Sequence, residues 1–513
     1  MPYYPSQPLS ATGEVSVDVP RTAFGELATA EKTPQVQVKF PAGINPEIAQ
    51  VLTNKAGSST TAVDGLCTVT CASTAESFAQ IRSKDVIRYG PGQGMDCKFT
   101  AGFTTGVANS TQWAGPGDDD EMLAFGYNGT SFGLLHRKMG ELEVRTLSVT
   151  AGAGTGAGNI TITLDGTAVV VAVGNGDTIS EVVAAIIAAS ADVYNAGRGW
   201  EMFTADNKSV TFIALVAEAT PGTFSAVDTD TTGCTFGTFT QATTDLLGVA
   251  PTESITAQAS WNIDVCDGTG PSGMTLDPTK INVFDVDFQY LGAGNLFFGI
   301  EDLLTGRFAP VHMMRHAGAG STPTFRNPTF NINLIAKTEA AYSGSALSMI
   351  TSSLGGFIEG KEAHFGVRHS ISTTVSTNGT TEVVNMVLHN QWVFGSTRNK
   401  IEVYPDHLTL INESTRSIKV DIYRGVTTMS APATLAAVNS NTSVMTYAAG
   451  SGTRTGGDLL YTTTVSASLS KDLDIEHLNT KIRPGETLVV VVTKSSGGAD
   501  GNATIGISWL ERV

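Results

Sequence analysis

The chain is 513 residues long, too long for one ordinary domain, so about three domains are expected. Apolar residues make up 41%, enough for real cores, while only 15% are charged and Gly, Thr, Ser and Ala abound, a balance that suits short strands joined by tight turns. A formal net charge of −17 with no Lys/Arg block argues against a nucleic-acid reader, which needs a basic stripe to displace counterions, and against an anionic membrane surface.

No apolar run reaches the roughly 18 residues of a membrane-spanning helix. The opening Met1-Pro2-Tyr3-Tyr4-Pro5 lacks a basic start and apolar run, so no signal peptide is expected. The cysteines (Cys67, Cys71, Cys97, Cys234, Cys266) are odd in number and scattered. Cys67 and Cys71 would make half a zinc site, but no second pair follows at ligand spacing, so buried free thiols and synthesis in a cytosol are expected.

Residues 1–35 are rich in Pro, Ser and Thr without sustained periodicity and read as an extended arm held by something else, such as a neighbouring subunit. From Thr33 the pattern turns to strands. Val36–Phe40 alternates, and strands are expected within Thr68–Gln80, Asp85–Tyr89 and Cys97–Phe103, with a turn at Gly90-Pro91-Gly92-Gln93-Gly94. Trp113–Asp120 reads as a loop. Met122–Tyr127 and Ser131–His136 flank Asn128-Gly129, a hairpin turn whose positive φ those residues tolerate.

The texture changes between about 150 and 255. Asn159–Leu164 and Ala168–Val173 flank Asp165-Gly166 as a hairpin. Thr178-Ile179-Ser180-Glu181 fits a capping box, and Ile179, Val182, Val183, Ile186 and Ile187 follow at helical spacing. Strands at Trp200–Phe203 and Val210–Leu215 complete a ββαββ unit. Because the earlier style resumes at Trp261, this unit reads as an insertion at a hairpin tip, where added length costs little.

Trp261–His312 is the centre of the parent sheet. Val283–Tyr290 alternates, turns through Gly292-Ala293-Gly294-Asn295, and returns as Leu296–Glu301, with Arg307–His312 as a third strand. Past Pro328 come Val383–Leu388, Ile401–Tyr404, Leu408–Ile411, Ile418–Tyr423, Leu488–Val492 and Ala503–Trp509.

Gly90–Gly94, Phe125-Gly126-Tyr127-Asn128-Gly129, Phe132–Arg137, Asp267–Gly273, Leu276–Lys280 and Thr305–Phe308 form a series of turns and aromatics. The series resembles virion structural proteins of tailed phages and of large DNA viruses of algae and other protists, over roughly Phe24 to Gly360 without the insert. That resemblance implies a concanavalin/laminin-G-type, lectin-like sandwich, and the insert resembles small domains spliced into phage tail proteins. It carries no residue roles. The expected fold is mainly β: multi-domain β-sandwiches of lectin-like or jelly-roll type with one small inserted ββαββ (α+β) domain. The expected division is an arm at 1–35, a sandwich from 36–149 plus 256–360, the insert at 150–255 and a C-terminal sandwich at 361–513.

Asp118-Asp119-Asp120-Glu121 is the sharpest acidic cluster. Asp118, Asp119 and Asp120 could offer oxygens to Ca²⁺, but EF-hand spacing is absent and a solvated acidic loop is the favoured reading. His312 and His316 lack the helix and the intervening Glu of a zinc protease, and His364 and His369 are no better placed. Gly152–Gly158 lacks the Lys-Ser/Thr ending of a phosphate loop, and no G-x-S-x-G elbow occurs. Glu301 with Asp285 or Asp287 could form a glycosidase pair, but the solvated face of a hairpin is the better reading. Trp113, Tyr127 and Trp261 could stack on sugar rings or sit in the core.

These readings point to a virion structural protein, a tail, fibre, appendage or capsid-surface component that assembles with copies of itself, as a homotrimer or higher assembly, and with other virion proteins. A glycan-binding, lectin-like adhesion protein for host attachment is the alternative, and a polysaccharide-degrading enzyme comes third. No cofactor beyond Ca²⁺ is expected, and no nucleic-acid or membrane partner.

Overall fold

The computed structural model describes residues 31–513 except 155, 219–221, 240–246, 362–365, 378–380, 396, 431–433, 451, 477–479, 496–500 and 513. The arm expected at 1–35 therefore lies outside the described residues up to residue 30, and Lys32–Lys39 is a strand. Two compact units emerge. One takes the chain up to Gly140 together with Pro251–Ala363, and the other takes Glu141–Ala250 together with His364–Val513. The fold is mainly β, and its ladders of paired strands are antiparallel among the described residues.

Two sheets make up the first unit, one of nine strands and one of seven among the described residues. Alternation dictates the packing. In Met95–Phe103, Cys97, Phe99 and Ala101 point inward, and in Asn282–Phe288 so do Phe284, Val286 and Phe288. The smaller sheet answers with Ala114, Leu123, Phe125, Leu134, Leu334 and Ala336, and these residues share one buried core with the larger sheet's. The result is a sandwich. Leu296–Glu301 and Phe308–Met314 follow Asn282–Phe288 as a meander, and Phe308–Met314 forms one edge of the larger sheet.

Only the second half of the expected Trp113–Asp120 loop, Gly117–Asp120, lies outside a strand. Ser110–Pro116 is a strand between Met122–Asn128 and Ile332–Thr338. Gly115-Pro116-Gly117 reads as a turn in sequence, yet Gly115 is needed inside the sheet: it sits at φ +155°, and a Cβ there would come within 2.1 Å of the Leu123 carbonyl oxygen. Asp85–Tyr89 forms only an isolated bridge, Ile87 to Phe330. Thr68–Gln80 resolves into parts of two strands, Leu66–Cys71 and Phe78–Ser83.

In the second unit, the ββαββ order is present as Gly158–Leu164, Thr167–Val173, a helix at Ile179–Ala188, Trp200–Phe203 and Ser209–Ala214. Thr178 and Glu181 close the capping box in both directions, which starts the helix. Val182, Val183 and Ile186 then pack against Leu147, Ile160, Val171, Trp200 and Phe212. A further core joins a sheet of six strands among the described residues to one of four, through Leu388, Val420 and Val490 on one side and Leu408, Ile505 and Trp509 on the other. Ile401–Tyr404 and Leu408–Ile411 belong to one strand, Glu402–Asn412, bulged between Pro405 and His407.

Candidate functional site

The residues singled out for glycan stacking are buried. Trp113 is 1% exposed, Tyr127 8% and Trp261 5%. Trp113 lies in the sheet opposite Gly126, where a Cβ would stand 3.0 Å from its ring, so the missing side chain makes room for the indole. Tyr127 packs edge-on against Phe103 and Phe132, and Trp261 against Phe125 and Phe132. None of the three presents a ring face to a ligand. They fill protein.

The acidic loop also departs from its expectation. Asp118, Asp119, Asp120 and Glu121 are all buried rather than solvated. Asp118 folds back on its own turn, accepting from the amides of Asp120 (3.0 Å) and Glu121 (3.3 Å). Asp119 accepts from Arg137 Nη1 at 2.7 Å and from Lys337, and Arg137 also grips Glu253. Glu121 accepts from the amides of Arg326 (2.6 Å) and Asn327 (3.0 Å). Burial of Asp118, Asp119 and Glu121 is tolerable because cations and amides meet them. They do not form an open set of oxygens for Ca²⁺.

Among the described residues, the acids whose oxygens converge within 4.8 Å of one another are Asp96, Asp285 and Asp287. The pairing of Met95–Phe103 with Asn282–Phe288 creates the group, setting Asp96 opposite Asp287 and Lys98 opposite Asp285. All four lie on the outward face of the larger sheet, between the inward core residues of the same two strands. Lys98 Nζ bonds both Asp96 oxygens at 2.8 Å and Asp285 Oδ1 at 3.0 Å, and Lys32 reaches Asp96 from Lys32–Lys39, across the intervening strand Ser353–Glu359. Asp285 and Asp287 thus belong to a charged cluster rather than to a solvated hairpin face, and Glu301 is not part of it.

The electrostatics follow from burial and neighbours. Burial pushes the Asp285 carboxyl up to about 7, helped by the charges of Asp287 and Asp96 and opposed by Lys98. Asp287 is raised by burial and by Asp96. Asp96 is also buried, but bonds from Lys32 and Lys98 outweigh that and hold it below the usual carboxylate range. Lys98 is raised to about 12, since the bond to Asp96 and the charge of Asp285 overcome its own burial.

Around this cluster the face is partly aromatic, and it is only partly open: Asp96 and Asp285 are buried, while Asp287 and Lys98 are half-buried. Gly299 stands opposite Asp285 and Gly355 opposite Lys98, and the Phe357 ring, which is opposite Asp96, lies over Gly355. The Lys98 ammonium sits 4.6 Å from the centre of the Phe308 ring. Phe297, opposite Asp287, is 42% exposed. Of this face, Asp287, Lys98 and the Phe297 ring keep enough exposure to meet a polyhydroxylated ligand. It does not fit a resident divalent cation, because two ammonium groups already hold the carboxylates.

The other candidates are structural. His312 Nδ1 accepts from the Asn262 amide at 3.1 Å, and His316 Nε2 lies 2.7 Å from the Thr322 carbonyl. His364 lies outside the described residues, and His369 Nε2 is 3.1 Å from the Thr442 carbonyl. Burial pushes the Cys67 and Cys71 thiols up to about 12, which leaves them protonated.

One feature of the same meander had no signal in the sequence beyond its residues. The turn between Leu296–Glu301 and Phe308–Met314 carries Leu303 and Leu304 at 78% and 86% exposure. Asp302 braces it, accepting from the Leu304 amide at 3.0 Å and the Thr305 hydroxyl at 2.7 Å, while the Gly306 amide donates to the Asp302 carbonyl.

No protein-family model matches the chain, and no curated protein matches it. Among solved structures, the chain is similar to the carbohydrate recognition domain of Emp47p, at 8% identity over 64% of this chain and 98% of that one, with a TM-score of 0.27. It is also similar to a legume lectin-like domain from Entamoeba histolytica, at 10% identity over 62% and 95%, with a TM-score of 0.23. A third likeness is to an archaeal virus protein of triple jelly roll fold, at 7% identity over 95% and 98%, with a TM-score of 0.17. At these scores the likenesses decide nothing about function.

Proposed function

We propose that the protein is a structural component of a virus particle, a β-sandwich building block that associates with copies of itself and with other particle proteins. The observation that carries this reading is the braced turn that holds Leu303 and Leu304 in solvent. Two adjacent leucines on a fixed tip expose apolar surface that a monomer has no use for and a partner would cover. The motif series running from Gly90 to Phe308 supports the placement in a virion. Light scattering on the purified chain tests the association. The expected mass is three chains or more, and Leu303→Ser/Leu304→Ser lowers it while leaving the fold intact. A wild-type monomer, or an association indifferent to both serines, counts against the reading. Peptides of the chain in purified particles test the location.

A second reading, glycan binding, is favoured by the half-exposed Lys98 and Asp287 on the outward face with the exposed Phe297 ring beside them. Carboxylates accept from paired sugar hydroxyls, and an exposed ring packs against a sugar's C–H face. A glycan array probed with and without Ca²⁺ tests it. Binding that survives Phe297→Ala and Asp287→Asn places no glycan on this face.

A further inference from the structure

The second unit ends one of its sheets on a strand built to accept another. Val367–Thr377 lies at the edge of the four-stranded sheet, whose order is Val367–Thr377, Gly501–Arg512, Glu402–Asn412, Ser470–Asp474. It pairs with Gly501–Arg512 along its whole length, from Val367 opposite Glu511 to Thr377 opposite Gly501, without a bulge. Among the described residues, its backbone has no partner on the other side.

Exposed strand edges are normally blunted by shortness, charge, proline or a bulge. The opposite edge of this sheet shows that treatment: Ser470–Asp474 is five residues long and carries Lys471, Asp472 and Asp474. Val367–Thr377 shows none of it. The strand is eleven residues long, unbulged, free of proline, and charged only at Arg368 near its start. Its outward row is Ser370, Ser372, Thr374 and Ser376, all exposed. Its inward row includes Ile371 and Val375, half-buried against the core of this unit. A neighbouring strand would cover both and continue the hydroxyl pairing already made by Thr374 and Thr504 at 2.7 Å.

We propose that this edge pairs with the same edge of a second copy, strand Val367–Thr377 running antiparallel to its counterpart about a two-fold axis at Ser372. The sequence is self-complementary in that register. Ser370 meets Thr374, Ile371 meets Thr373, Arg368 meets Ser376, and no two like charges face each other. Two chains of net charge −17 repel one another broadly, so an uncharged edge is where they can approach. Pairing also uses up both open edges. The contact is isologous and closed, giving a pair rather than a fibre. This contact is separate from the Leu303–Leu304 turn, and the two can fail independently.

Charge reversal at the axis tests it. Ser372 is exposed, so Ser372→Glu and Ser372→Lys keep the fold, checked by thermal melting. In light scattering, each variant alone has a lower mass than the wild type, half of it where the wild type holds an even number of chains, because like charges then meet across the axis. An equimolar mixture of the two regains the wild-type mass, since Glu meets Lys. Hydrogen exchange of the alternate amides of Val367–Thr377 that point away from Gly501–Arg512 is slow in the wild type and in the mixture, and fast in each variant alone. A monomeric wild type, a mass unchanged by Ser372→Glu, or a mixture that stays at the lowered mass overturns the proposal. Leu303→Ser/Leu304→Ser leaves the exchange protection of this strand untouched.

Discussion

The rings of Phe125 and Phe284 stand with centroids 4.6 Å apart and planes inclined by 37°, joining the smaller sheet of the first unit to the larger. Each ring is also a hub. Phe125 meets Trp261 and Phe298 edge-on, and Phe284 stacks on Phe99 and meets Phe103. The sandwich therefore rests on a continuous aromatic layer between its sheets.

Removing the hub should show at once. Phe125→Ala is expected to cost about 3–5 kcal/mol in urea denaturation, since its neighbours belong to two sheets and cannot all close on the cavity. Phe125→Leu, which keeps most of the volume, should cost less. Equal losses for the two variants would mean that the contact is not a packing contact.

The buried acid Asp119 is the second place where one change has a large effect. It lies against Arg137 and Lys337, with side chains of 6%, 7% and 19% exposure for Arg137, Asp119 and Lys337. Asp119→Asn leaves two buried cations without their shared anion, and a loss of about 3 kcal/mol is expected. Lys337→Met, which leaves Asp119 with Arg137, should be much milder. If the methionine variant proves the worse of the two, the charge balance proposed for this loop is wrong.

Much of this architecture was legible. Asn128-Gly129 and Asp165-Gly166 marked hairpins, and Thr178 with Glu181 marked the helix, because those signals act within a few residues. The candidate site was not legible, for a physical reason. Asp96 and Asp285 each alternate with core residues in a way that looks like a solvated face, and only the register between two distant strands brings them under Lys98. Asp119 is the same case: Arg137 and Lys337 lie 18 and 218 positions away, so a run of acids reads as solvated until the sheet closes on it. Trp113 was obscured differently, by glycines that look like a turn but allow two backbones to approach.

Asp285 supplies a pH test with a definite sign. Its carboxyl titrates at about 7 in the fold and at about 3.9 in an unfolded chain. Because the folded value is the higher, the stability it contributes is fully present below about pH 4 and is lost as the pH rises through 7. Asp285→Asn stays neutral throughout. The difference between wild type and variant should therefore shift in favour of the variant from pH 4 to pH 8, measured by denaturation midpoints. A difference that is flat across that range would show that burial does not hold Asp285 protonated.

The Asp302 brace separates a fixed tip from a merely greasy one. Its carboxylate, held below the usual range by the Leu304 amide and the Thr305 hydroxyl, fixes the turn on which Leu303 and Leu304 stand. Asp302→Ala keeps both leucines but frees the turn, so any partner must then order it on binding. That ordering costs roughly 0.5–1.5 kcal/mol per immobilised side chain, so self-association should weaken by about threefold to tenfold for each leucine. Sedimentation across a concentration series reads the change. If Asp302→Ala associates as tightly as the wild type while Leu303→Ser/Leu304→Ser does not, apolar surface alone suffices and the brace serves only the fold; if neither variant weakens association, the turn is not the contact.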